Sequence, residues 1–592
     1  MTLLVDPPQR DSAGQRNSAD GSSTTAVTVG AESTEAGSTE ESGDTEESGV
    51  AAVDTGSSSA GPARALTKDG PPNLGVPTAS PQAVTSATSA QAMLTDQAVS
   101  SGPSAPSTET VPSAPSVPRL AEPPITGGRV EDAMGVLIRV LSHSPLARPL
   151  PAVMLSALGL GGVAFVGLCA TAPTASVATP PVLLPLTSLA RDLGAPHLPD
   201  WVADTIMYAS IALCCLGLAM MLWANSRGWS PRPRRVFAAA AAVVAVVVNI
   251  TPVGSSDVAS YATYGRIAAL GYNPYTFKPS DLPGGASNPY TMLVAPMWRS
   301  QMSVYGPVST WMHLLAATIG GARAWLTIWV LMVMIGASFL ATGYILLRTA
   351  ENPVRAVLLW VANPLLIVEL VMGGHMDALV ALFAIAAIVL SRRCTKLWHD
   401  VVVALLVGVV CGVKITAGLV ALGIAIPLIH DRDWGRLLRI GAIAGVTLFA
   451  LYYFSYGFVA LKPMGTMSTM VISPTIWRAV QEIALLTVGS GAEALVTHVI
   501  AFAWLPLMLL LAWYLYNRLS PDVPTVVAAT CALTFAWIVV APWSLPWYSS
   551  IAWVTLALLP RNSLTRWLTL ATGALALLHF NGGHTTSVPV TP

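Results

Sequence analysis

From about residue 150 onward the chain is written in long apolar runs separated by short polar connections. Runs near 150–172, 203–225, 236–253, 323–348, 356–372, 375–391, 438–458, 495–517, 523–541, 547–560 and 565–580, with a pair inside 400–429, predict helices of membrane-crossing character. The connections alternate in charge. Arginines crowd Arg227 to Arg235; Arg348 and Arg355, then Arg392, Arg393 and Lys396, then Arg432, Arg436 and Arg439, then Arg518, then Arg561 and Arg566 mark every second connection after it. Short cytoplasmic loops retain Lys and Arg, so these connections are expected inside, which gives about thirteen spans with the N-terminus inside and the C-terminus outside. The stretch from Val401 to Ile429 must begin and end inside, and its halves of about fourteen residues are short for an upright crossing. A re-entrant hairpin or a thinned bilayer is predicted there, with Lys414 at its tip.

Composition agrees with that pattern. Of 592 residues, 53% are hydrophobic and 10% charged, and mean hydropathy is +0.60, which marks an all-α polytopic membrane protein. Net charge is zero, so no basic field argues for a nucleic-acid partner. Cys169, Cys214, Cys215, Cys394, Cys411 and Cys531 lie in or beside apolar runs without metal-ligand spacing and are read as small core residues.

Residues 1–135 are a separate region, rich in Ser, Thr, Ala, Gly and Pro, and no Phe, Tyr or Trp precedes Phe165. Between Arg16 and Arg64 every charged residue is acidic, including the imperfect repeat of Thr39 to Gly43 in Thr45 to Gly49. Such a segment buries too little apolar surface to offset chain entropy, so a disordered, acidic, cytoplasmic tail is expected. It lacks the basic and apolar regions of a signal peptide.

Under this topology, polar and aromatic residues from independent connections fall on the outer side. Asp257 opens a long outer segment, 254–322, and Val258 to Leu270 has the spacing of an interfacial amphipathic helix. Two readings of Asp257 stand together: a general base for a hydroxyl nucleophile, or a cap of the helix it precedes. Asn363-Pro364, Glu369 and Gly373-Gly374-His375-Met376-Asp377 form a second group. Glu369 interrupts an apolar run, which is costly unless it is paired or faces a wet cavity. His375 and Asp377 suit sugar hydroxyls, a metal, or a plain capped turn. The third group is Lys414 with Trp543, Trp547 and Tyr548. Lys414 suits a lipid phosphate or snorkels to the interface, and the aromatics suit an interfacial belt better than a binding site. No Walker loop, dinucleotide fingerprint, His-Glu-x-x-His or Asp-x-Asp stretch occurs, so the activated substrate is expected from the membrane and not from a soluble nucleotide.

Taken in order, Asp257-Val258-Ala259-Ser260-Tyr261, Gly265, Gly271-Tyr272-Asn273-Pro274-Tyr275, Trp298, Tyr305-Gly306-Pro307, Asn363-Pro364-Leu365-Leu366, Gly374-His375-Met376-Asp377-Ala378-Leu379, Lys414 and Pro542-Trp543 to Trp547-Tyr548 resemble the actinobacterial polyprenol-phosphomannose-dependent alpha-1,6-mannopyranosyltransferases. These are GT-C glycosyltransferases of lipomannan and lipoarabinomannan synthesis. The resemblance runs from about Leu150 to the end and implies a GT-C-like helical bundle acting at the outer face of the plasma membrane. It implies a polyprenyl-phosphate-mannose donor, a lipid-anchored mannan acceptor and an alpha-1,6 product. No cofactor is expected to be required: a divalent ion could help at the donor phosphate, but no ligand cluster in the sequence demands one. The catalytic acid would be Asp257. Lys414, assisted by Arg266 or Arg478, would hold the donor phosphate. Tyr261, Asn273, Tyr275, Trp298, Tyr305, Glu369, His375, Asp377, Trp543, Trp547 and Tyr548 are the candidate sugar and acceptor contacts. A transferase of another polyprenol-linked sugar and a lipid-sugar flippase are the alternatives; the second also suits an intramembrane acid and a broken helix pair.

Overall fold

The chain's computed structural model describes residues 149–170, 182–392, 396–467, 470–472, 475–489 and 491–579. The expected disordered tail and Cys394 lie outside the described residues. Among these the architecture is all-helical, without a β-strand. The helices that frame the site and the bundle are α1 (Pro149–Leu168), α2 (Asp200–Ser226), α3 (Pro233–Val247), α4 (Asp257–Ala269), α5 (Pro307–Gly320), α6 (Ala324–Thr349), α7 (Pro353–Leu359), α8 (Asp377–Arg392), α9 (Leu397–Val413), α10 (Gly418–His430), α11 (Trp434–Ser455), α12 (Ala492–Tyr516), α13 (Thr525–Val540), α14 (Ser550–Leu558) and α15 (Leu564–His579). Several open on proline (Pro149, Pro233, Pro307, Pro353), whose missing N–H and fixed φ suit the first helical position.

By length and apolarity α1, α2, α6, α11 and α12 can cross a membrane. α7 with the segment Pro364–Met372, bent by 42°, is either a broken sixth span or a re-entrant loop. Asn363 makes that break: its Oδ1 accepts the N–H groups of Leu365 and Leu366 at 3.1 and 3.4 Å, and Pro364 cannot donate to the preceding turn. The remaining apolar helices are shorter than the ~20 residues an upright span needs, so length alone supports fewer crossings than the sequence pattern predicts. The run expected at 236–253 ends at Val247. Beyond it Pro252 lacks an N–H and Gly254 takes a left-handed φ of 84°.

The basic connections meet at one end of the bundle. The buried Arg355 guanidinium donates to the carbonyls of Leu556 and Leu559 at 2.8 and 2.7 Å and to Thr565 at 2.9 Å. Arg561 donates to the Asn225 carbonyl at 2.6 Å. Nearby Glu351 faces Arg392 at 3.9 Å, and Asp400 takes both Arg436 and Arg439, at 2.7 and 2.6 Å. Separate connections thus satisfy one another's carbonyls and charges, as their alternation along the chain requires.

One expectation is corrected. α4 is not an amphipathic surface helix: Val258 to Gly265 and Ile267 are all buried, packed against α5 and α6. The close approach depends on Gly265, where an added Cβ would sit 2.1 Å from the His313 carbonyl oxygen. Gly265→Ala is therefore expected to force α4 from α5 and destabilise the fold by about 1–3 kcal/mol. A thermal unfolding scan of the detergent-solubilised protein checks this, and an unchanged midpoint contradicts the packing described.

Candidate active site

The local sequence around Asp257 sets the site. Ser256 occupies the N-cap position of α4 without a side-chain cap bond, and Ser255 Oγ accepts the Asp257 N–H at 3.1 Å. Asp257 is the first helical residue. Its Oδ2 accepts the hydroxyl of Tyr261 at 3.1 Å, one turn along the same helix, and that of Tyr305 at 3.5 Å. The carboxylate is bonded to two phenols and not to the helix's own N–H groups, which is not what a cap does.

Tyr305 is held by its neighbours. Its carbonyl accepts Tyr275 Oη at 2.7 Å, and that hydroxyl also meets Thr310 Oγ1 at 2.8 Å. The next residue, Gly306, donates its N–H to the Val413 carbonyl at 3.1 Å, and Ser309 Oγ donates to the same oxygen at 2.8 Å. The loop before α5 is thereby fastened to the end of α9. This brings the two phenols to Lys414, which lies in extended backbone at the junction beyond α9, as the sequence predicts.

Lys414 Nζ donates to both carboxylate oxygens of Asp377, each at 3.1 Å, and stands 3.5 Å from the centroid of the Tyr548 ring. Asp377 is buried and Lys414 is half-buried. Burial pushes the Asp257 carboxyl up to about 6; the Lys414 ammonium and the Tyr261 and Tyr305 hydroxyls oppose that rise, and the Asp377 charge adds to it. A carboxyl tuned near neutral pH, with phenols orienting one oxygen and a fixed cation nearby, can accept a proton from an incoming hydroxyl.

Behind Ser255 is a second polar space. Glu369, in the π-helical turn Ile367–Met372, lines a narrow cavity of about 10 Å³ with Ser255, His375, Trp547 and His579. That volume holds roughly one water and no sugar. Glu369 and His375, expected among the sugar contacts, therefore face an internal cavity. His375 packs on Trp547 with centroids 3.6 Å apart, and neither of its ring nitrogens has a protein partner. Gly374, at φ 71°, makes the turn that places His375 and Asp377. Among the described residues no group of three or more His, Cys, Asp or Glu side chains is gathered to hold a metal ion.

Residues 157–430, from α1 through α10, match the family described as alpha-(1->6)-mannopyranosyltransferase, N-terminal domain. That segment, a little under half of the chain, is similar to this family. An alpha-(1->6)-mannopyranosyltransferase A of Corynebacterium glutamicum is 31% identical over 144 residues, 23% of this chain and 28% of the relative. An alpha-(1->6)-mannopyranosyltransferase of Mycobacterium tuberculosis is 34% identical over 133 residues, 22% of each chain. An alpha-(1->6)-mannopyranosyltransferase A of the same organism is 24% identical over 345 residues, 50% of this chain and 60% of the relative. The chain thus spans about a quarter of the first two relatives and 60% of the third. No solved structure matches.

The matched segment contains Asp257, Tyr261, Tyr305, Glu369, His375, Asp377 and Lys414; Trp547, Tyr548 and His579 join them from beyond it. Other expected residues are elsewhere. Arg266 is nine residues along α4 from Asp257, ~13 Å by helical rise, and lies over the Tyr290 ring. Arg478 pairs with Glu482 at 3.2 Å. Trp543 joins Trp504 and Trp537 in an aromatic cluster, with centroids 5.0 and 5.6 Å away, which fits an interfacial belt. Asn273 accepts the Tyr275 N–H at 2.9 Å to close a turn, and half-buried Trp298 ends the short helical turn Pro296–Trp298. Sequence reasoning missed His313, buried on α5 and stacked on Tyr261 with centroids 4.9 Å apart, and His579, 5.0 Å from Trp547. Each is a lone histidine in an apolar helix, a pattern that carries no signal by itself.

Proposed function

We propose that this protein is an inverting glycosyltransferase that moves mannose from polyprenyl-phosphate-mannose to a lipid-anchored mannan, forming an alpha-1,6 link at the outer face of the plasma membrane. In this reading the shorter helices also cross, for about thirteen spans with the basic end inside, and the Asp257 end faces out. The observation that carries the proposal is the Asp257 carboxylate, held by Tyr261 and Tyr305 under the influence of the Lys414 charge, inside a segment similar to the mannopyranosyltransferase family.

The donor's prenyl chain lies in the membrane with its mannosyl phosphate beside Lys414. An acceptor hydroxyl reaches Asp257, which removes its proton as the oxygen attacks the anomeric carbon. The bond from that carbon to the phosphate oxygen breaks, and the electron pair leaves with the polyprenyl phosphate. One displacement turns a beta donor into an alpha product. The leaving phosphate needs charge stabilisation more than a proton. Lys414, fixed by Asp377 and Tyr548, offers a positive charge there without reorganising. Half-buried Asp257 then returns the proton to water.

Purified protein in detergent, given labelled polyprenyl-phosphate-mannose and a mannoside acceptor, tests the reading. Formation of an alpha-1,6 dimannoside is expected. A lipid-sugar flippase makes no glycoside under these conditions, and a panel of other polyprenyl phosphosugars identifies a transferase of another sugar.

A further inference from the structure

α8 runs from Asp377 at the candidate site to Arg392 at the basic end. There the C-termini of α8 and α10 and the N-termini of α11 and α13 leave a cavity of about 340 Å³ between them. Two guanidinium groups, Arg392 and Arg436, and one carboxylate, Asp431, line it. Much of the remaining wall is hydrocarbon, with Ile424, Leu428 and Ile440 prominent.

The charges around this space are unbalanced. Arg436 and Arg439 both pair with the carboxylate of Asp400, at 2.7 and 2.6 Å. Arg392 has Glu351 at 3.9 Å, but that carboxylate's side chain is 74% exposed. A surface pair of this kind contributes little and yields to a better-placed anion. Asp431 is exposed and subtracts one charge. Two guanidiniums therefore face the cavity against one carboxylate. Arg436 is also fixed in direction, since its Nε is bonded to Asp400 and its Nη2 to the Ser391 carbonyl at 3.4 Å. A planar, oriented guanidinium matches phosphate oxygens better than a mobile ammonium does.

A free anion has no use for the hydrocarbon wall, and a bare hydrocarbon chain has none for the arginines. We propose that the cavity binds an anionic phosphate-bearing lipid. Arg392 and Arg436 take the phosphate oxygens, and the first part of the hydrocarbon chain lies along Ile424, Leu428 and Ile440. This site is at the end of the bundle opposite Asp257 and is independent of the glycosyl-transfer proposal.

Native mass spectrometry of the full chain in detergent, titrated with phosphatidylglycerol, phosphatidylcholine or inorganic phosphate, tests it. One phosphatidylglycerol is expected to bind about fivefold more tightly than phosphatidylcholine and to resist displacement by excess inorganic phosphate. Arg392→Gln should weaken phosphatidylglycerol binding by about fivefold, and Asp431→Asn should strengthen it. Arg348→Gln, a change beside the Tyr344 ring and outside the cavity wall, should leave it unchanged. Equal binding of the two lipids, displacement by phosphate, or an affinity unmoved by Asp431→Asn overturns the proposal. The exposed position of Asp431 keeps the test decisive even where Arg392→Gln fails to fold.

Discussion

Asp257→Asn is expected to lower the rate of mannosyl transfer by about a hundred- to ten-thousand-fold, the range general-base catalysis supplies. The amide keeps the shape of the carboxylate, and its oxygen still accepts the hydroxyls that Tyr261 and Tyr305 donate at 3.1 and 3.5 Å. What it loses is the ability to take a proton from the acceptor. The loss should therefore appear in kcat, with donor KM and thermal unfolding close to wild type. Near-normal turnover in the variant removes Asp257 from the role proposed for it.

Replacing Lys414 should produce the largest loss of stability. Its ammonium is bonded to both oxygens of buried Asp377 and packed on the Tyr548 ring. Lys414→Gln leaves the Asp377 charge without its counter-ion, and stranding one partner of a buried pair costs about 3–5 kcal/mol. The double change of Lys414→Met with Asp377→Leu removes both charges and should recover much of that stability without recovering transfer. Any residual activity of Lys414→Gln carries a further mark. The Lys414 charge holds the Asp257 carboxyl down against the effect of burial, so its loss should move the acid limb of the rate profile above about 6. Wild-type thermal stability in Lys414→Gln contradicts this account of the pair.

The fold was legible wherever one physical constraint acted alone. Hydrocarbon admits long apolar runs, so α1, α2, α6, α11 and α12 lie where the runs predict. The run expected as one helix at 356–372 instead breaks at Asn363-Pro364, where proline cannot donate and asparagine caps. At the site, Asp257 and Tyr261 were legible together, since a separation of four residues places them on one helical face. The bond from Lys414 to Asp377 was not legible, because it joins the ends of different helices and depends on their relative rotation. Arg266 shows the converse: its sequence proximity to Asp257 conceals more than two turns of rise, and its guanidinium lies over the Tyr290 ring. Glu369 was visible as a costly acid in an apolar run, but only packing shows that it faces a narrow cavity with His375 and His579.

The pH dependence of kcat/KM, measured for wild type and for the residual activity of Asp257→Asn, tests the central claim most directly. Asp257 must be ionised to accept a proton, and its carboxyl is raised to about 6. Wild-type activity should therefore be full above that pH and fall about tenfold per unit below it, while the residual rate of the variant stays flat across the same range. An acid limb near 6 that persists in Asp257→Asn would show that another group takes the proton.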